Sequence, residues 1–189
     1  MRGNRVVWVV GFALALFGLS GGPAFAQKVY TTCNIWFEKP ERLYSINYKT
    51  GNIIPAGAEV RDVQVGSGRS GILRGRPMIS FTTVQDGMTY SMEFQKNFHP
   101  GISPEDYAKK FFGTKTLEEL TQGMTDSEKD AIKQGKLVVG MSRAAVLVSY
   151  GFPPEHETHS LENDKWTYWM NRFRKKEVFF DENGRTRTP

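Results

Sequence analysis

Gly140-Met141-Ser142-Arg143-Ala144-Ala145-Val146, then Tyr150-Gly151-Phe152-Pro153, then Trp166-Thr167-Tyr168: these residues set out a helix, a hard stop and a strand. Ser142 stands at an N-cap, where its hydroxyl accepts from the first free backbone N–H groups of a helix. Val146, Leu147 and Tyr150 share one face of the helix that follows, Arg143–Tyr150. Gly151 permits a left-handed stop and Pro153 and Pro154 block continuation. Gly140 ahead of the cap allows a tight turn into the helix.

Upstream, Thr125-Asp126-Ser127-Glu128 is a capping box that opens another helix, with Ala131 and Ile132 inward and Gly135 past its end. Downstream, the polar loop Glu155–Asp164 leads to a strand over Lys165–Phe173 with Trp166, Tyr168 and Met170 on one side. Lys175–Asp181 is its partner, with Val178 and Phe180 on one side, and Asn183-Gly184 turns the chain into a short tail, Arg185–Pro189.

Taken together, Ile132–Val146, Tyr150–Pro153, Trp166–Tyr168, Val178–Phe180 and Gly184 resemble the SmpA/OmlA/BamE-type domain of bacterial envelope proteins. The resemblance covers about residues 126–185. It implies two helices packed on one face of a small antiparallel sheet. It also implies a binding role in outer-membrane assembly or maintenance, without catalysis.

Before this module, Ser103-Pro104-Glu105-Asp106 reads as a helix start with its cap, a first-position proline and acids in the first turn. Tyr107, Phe111 and Phe112 follow as an apolar stripe, Gly113 ends it, and Thr116–Leu120 is a further short helix. Residues 27–98 read as β. Lys28–Phe37 alternates and is expected to form one strand, with Val29, Thr31, Cys33 and Ile35 facing inward. Tyr44–Tyr48 and a strand from Ile53 to about Val65 follow. Met78–Val84 and Met88–Gln95 flank Asp86-Gly87, a strong hairpin signal. Ile54-Pro55-Ala56-Gly57-Ala58-Glu59-Val60 resembles the turn and strand of bacterial SH3-like barrels, which bind peptides, glycans or proteins. The expected fold is therefore α+β: a β-rich small barrel or bent sheet, then helices, then an α-α-β-β module. The boundaries expected are 1–26 (signal), 27–98 (β-rich domain), 99–124 (helical connector) and 125–189 (BamE-like module).

The first 26 residues read as a secretory signal. Arg2 and Arg5 precede the apolar run Val6–Leu19, and Ala24-Phe25-Ala26 is a small-x-small cleavage site. The run is short of the ~20 residues that span a bilayer. Cleavage leaves 163 residues and lowers the formal charge from +5 to +3, because the leader carries two arginines and no acid. That charge is too mild to indicate a nucleic-acid binder. The single cysteine excludes an intrachain disulfide framework. Gln27, not Cys33, follows the cleavage point, so a lipid anchor is not expected. The expected location is the periplasm, peripheral to the outer membrane.

Few residues carry a chemical signal. Gly66-Ser67-Gly68-Arg69-Ser70-Gly71 matches G-x-G-x-x-G, yet Gly75 and Pro77 follow where a dinucleotide site needs a helix. It reads as a loop made basic by Arg69, Arg74 and Arg76, able to touch anionic lipid or an acidic partner. His156 and His159 lack a third ligand and a helical frame, so they read as loop residues. Cys33 reads as a buried inert thiol. Trp169 and Phe179 fall on the strand face away from the helices, with Arg172 and Arg174 at the adjacent turn. The β-rich half could cover them, or all four could form an aromatic and arginine binding patch. The sequence thus points to a non-catalytic envelope protein that docks a protein partner or an anionic membrane surface. No cofactor or metal is expected. The alternatives are a cell-wall-acting periplasmic enzyme and a secreted inhibitor-like module.

Overall fold

The computed structural model describes residues 27–189 apart from Ser70. The export signal expected over residues 1–26 lies outside them. The described chain is α+β, with a curled six-stranded sheet forming a half-barrel, four α-helices and a separate three-stranded sheet.

Strand β1 (Val29–Thr31) pairs antiparallel with β5 (Glu59–Ser67), and β5 continues to β6 (Pro77–Thr83) and β7 (Thr89–Glu93). The Asp-Gly hairpin stands between β6 and β7 as expected. The sheet ends at one edge with β3 (Leu43–Tyr44), parallel to β7, and at the other with β8 (Phe112–Gly113), beside β1. Helix α1 (Pro104–Phe111) closes the concave side, burying Tyr107 and Phe111 against Phe81, Met92 and Phe94. Ser103 caps it through Asp106 N at 3.0 Å.

The single strand expected over Lys28–Phe37 is instead two. β2 (Ile35–Phe37) leaves the main sheet and pairs with β4 (Asn52–Ile54). The break has a plain cause: backbone N–H groups of the intervening residues donate to helix ends. Thr32 N bonds Phe111 O at 2.9 Å and Asn34 N bonds Val148 O at 3.0 Å. Cys33 is fully buried there, and burial pushes its thiol up to about 12, against the pull of Lys49. The strand expected over Tyr44–Tyr48 likewise shrinks to β3, because Asn47 adopts a left-handed φ of 52° and turns the chain.

Helix α2 (Leu117–Leu120) leads to the second core. Helices α3 (Asp126–Lys133) and α4 (Arg143–Tyr150) cover one face of the hairpin β9 (Lys165–Asn171) and β10 (Arg174–Phe180). Trp166, Tyr168, Val178 and Phe180 turn toward the helices and are buried. The short tail still adds a third strand, β11 (Thr186–Arg187), beside β10. Thr186 laces it to the loop before α4: its N donates to Met141 O at 2.8 Å and its Oγ1 accepts from Met141 N at 2.9 Å.

Glu128 knits this corner together. One carboxylate oxygen accepts from Thr125 N at 2.8 Å, closing the capping box. The other accepts from Ser142 N at 2.7 Å and Arg185 Nη1 at 3.1 Å. Burial alone would raise its pKa, but the N–H groups of Ser142 and Thr125 outweigh that and hold it down to about 2.

The two cores meet at a polar seam. Asn34 Nδ2 donates to Ile132 O at 2.7 Å and Ser149 O at 3.0 Å, carbonyls at the ends of α3 and α4. Its Oδ1 accepts from Ala56 N at 2.8 Å, and its carbonyl accepts from Asn47 Nδ2 at 3.2 Å. Two glycines permit the close approach. A Cβ on Gly151 (φ 77°) would lie 2.8 Å from Asn47 Nδ2, and one on Gly135 (φ 60°) 2.6 Å from Ile53 Cδ1. The seam cuts across the expected boundaries. Trp36, Ile53 and Ala56 pack in the second core, while Phe152 packs against the first.

Candidate functional site: an aromatic cleft

Where the seam reaches the surface it opens into a cleft of about 730 Å³. β2 brings Trp36 and Phe37, the β2–β3 loop Arg42, β3 Tyr44, the following turn Tyr48, and the β9–β10 turn Arg172. Its walls therefore come from both halves of the molecule. Tyr44 and Tyr48 meet edge to face, ring centroids 5.8 Å apart, and Arg42 lies over Tyr44 at 5.4 Å. Burial and the neighbouring Tyr44 push the Tyr48 phenol up, while the Arg172 guanidinium pulls it back.

Lys49 supports the cleft floor. Its Nζ sits 4.3 Å from the Trp36 ring centroid and 5.4–5.5 Å from those of Tyr150 and Tyr168. It donates to Asn47 O at 2.8 Å and to Tyr150 O at 2.5 Å. Burial pushes the ammonium down to about 7, with the Cys33 sulfur acting the other way. This half-buried lysine is held by three rings and two carbonyls, and it joins the first half to the end of α4. No motif marks it in the sequence. Its chain neighbours, Tyr48 and Thr50, give no hint of the role.

The four residues offered as one possible patch, or as covered by the β-rich half, take different places. Trp169 and Phe179 do share the face away from α3 and α4, but the Thr167–Glu177 pair separates them. Trp169 is half-buried, with Phe98 and His156 each 6.3 Å away and Lys175 Nζ 4.6 Å over its ring. Phe179 is half-buried beneath Arg187, at 5.6 Å. Arg172 joins the cleft. Arg174 is exposed at the turn next to Phe173, which is 79% exposed and has Arg172 4.7 Å over its ring.

The basic loop reaches the same cleft through Leu73. Arg69 and Arg74 are exposed, whereas Arg76 pairs with the buried Glu93. The loop folds on itself, Gly68 N donating to Arg76 O at 2.8 Å and Gly75 N to Gly68 O at 2.9 Å.

A histidine cluster lies elsewhere. His99 is buried between Phe94 and Tyr107, and its Nδ1 meets Glu155, which also takes Lys110. Burial raises the Glu155 pKa, but the bonds from His99 and Lys110 outweigh it, so its carboxyl lies below the ordinary range. His99 Nε2 has no partner, and the Tyr107 hydroxyl is committed to Ser45 O. Buried among rings and away from the cleft, this group clasps α1 to the loop after α4. His156 bonds Phe98 O at 3.2 Å and His159 is exposed. Among the described residues no three His, Cys, Asp or Glu side chains come together as a metal set. None of the helices described is long and apolar enough to cross a membrane. The chain matches no family model, no curated protein and no solved structure.

Proposed function

We propose that this chain is a non-catalytic binding protein of the bacterial envelope that docks a protein partner in the cleft between its halves. The observation that carries the reading is the cleft itself. It collects four aromatic rings and two guanidinium groups from both cores, the composition of interface anchors. Two helices laid on one face of an antiparallel hairpin over residues 126–185 agree with the arrangement that the BamE-type resemblance implies. Residues 1–26, read as a leader, support export to the periplasm.

The test is site-specific photo-crosslinking in living cells. A photoreactive residue at Tyr48, inside the cleft, should give a discrete protein adduct. The same residue at Glu105, on the outer face of α1, should not. Absence of an adduct at Tyr48 would sink the reading. So would turnover of peptidoglycan fragments by the purified protein, which would favour a cell-wall enzyme.

A further inference from the structure

We infer that the segment received by the cleft is an acidic polypeptide stretch bearing at least one large apolar side chain, an inference that rests on the binding role proposed above. The cleft walls carry Lys39, Arg42 and Arg172 against Glu38 and Glu41. Among the described residues none of those three cations stands in an ion pair, and neither do the neighbouring Arg69, Arg74 and Arg174. Across Phe37 lies a second depression of about 410 Å³, whose lining carries Asp86 and Glu59, the latter paired with Lys28 at 2.8 Å, and no lysine or arginine. The sign of the lining charge thus directs an acidic chain to the first cleft and away from the second.

The cationic groups are already oriented. Arg42 rests on Tyr44. Arg172 rests on Phe173 in a turn fixed by Asn171 Oδ1, which accepts from Phe173 N and Arg174 N at 2.9 Å each. A guanidinium already lying over a ring has less freedom to lose when it takes a carboxylate through its two-pronged edge. The ring-lined part of the cleft needs apolar cover at the same time. A lone phosphate would satisfy the arginines and leave the rings wet. A neutral glycan would cover the rings and leave the arginines without a counter-charge. An extended chain places a side chain every ~3.3 Å on alternate sides, so one bearing acidic and apolar residues supplies both.

Fluorescence anisotropy on the purified protein tests this with four probes. They are a labelled peptide of Glu and Asp around a central Phe, its Gln/Asn counterpart, its counterpart with Ser in place of Phe, and vesicles containing phosphatidylglycerol. The first peptide should bind, and each altered peptide should bind about tenfold more weakly. Arg42→Glu and Arg172→Glu should each weaken the first peptide about tenfold, with unchanged circular dichroism, and added salt should weaken it further. Equal binding of the Gln/Asn peptide, indifference to both arginine substitutions, or preference for the vesicles overturns the inference. A Tyr48 adduct formed through a neutral or basic partner segment overturns the inference alone and leaves the binding role standing. No adduct at all removes the binding role as well.

Discussion

Strand β1 finds its partners in β5 and β8, Val29 opposite Val60 and Tyr30 opposite Gly113, so the first half is stitched from distant parts of the chain. Strands β9 and β10 find each other across a turn of two residues, Arg172 and Phe173. Each half buries a core rich in aromatic rings, but the first must gather its strands around α1 before anything is covered. The second is assembled from neighbours: a capped helix, another capped helix and a hairpin. Closing long loops costs more entropy than closing short ones, so the second half has the more local route to its fold. The comparison also locates the aromatic cleft. It opens where the locally built half meets the half built from afar, with Arg172 on one side and Arg42, Tyr44 and Tyr48 on the other.

The sharpest way to break this contrast is Trp166→Ala. The indole is fully buried against Phe180, and its loss should destabilise the protein by about 3–5 kcal/mol. Because the seam couples the halves, denaturant unfolding should remain one transition. Two separate transitions would show that the halves unfold independently. Asn34→Ala comes next. It removes two hydrogen bonds to helix-end carbonyls and one acceptor for Ala56 N, all buried, and should cost about 3 kcal/mol by the same measurement.

Glu128→Gln sharpens the contrast through pH. The carboxylate pKa falls from 4.5 to about 2 on folding, so its stabilisation is complete above about 4.5. That contribution is lost as pH drops through 4.5 toward 2, where the folded group finally takes a proton. Wild-type unfolding midpoints followed between pH 6 and pH 2 should fall over this range, and the Gln variant should lose that part of the slope. At neutral pH the variant should cost about 3 kcal/mol, the worth of that shift. Trp169→Ala should have the smallest effect, about 1 kcal/mol, since the ring is half-buried and its Nε1 has no partner. A loss as large as that of Trp166→Ala would mean that the outer face of the hairpin is a further, third core.

The same contrast explains what the sequence reveals. Local chemistry is readable: the caps at Ser103, Thr125 and Ser142, the Asp86-Gly87 hairpin, and the opposite facing of Trp166 and Trp169 all follow from short-range rules. The break after Thr31 does not. Alternation predicts an unbroken strand, and only the distant helix ends that capture Thr32 N and Asn34 N end it. The cleft is hidden for the same reason. Arg172 is visible as a basic residue at a turn, but its meeting with Tyr48 depends on how the two cores lie together. Lys49 is hidden more deeply, since its carbonyl partner Tyr150 stands 101 positions later.

Trp36 belongs to one half by position and to the other by contact. A fragment ending near residue 124 would leave that indole with no helix or hairpin to cover it. A fragment starting there would miss the side chain that fills its core beside Tyr150 and Gly135. Neither piece is a portable cassette. Recombination that exchanged one half for a foreign counterpart would have to bring along a residue from the opposite side of the junction, so the two parts inherit changes as a single unit.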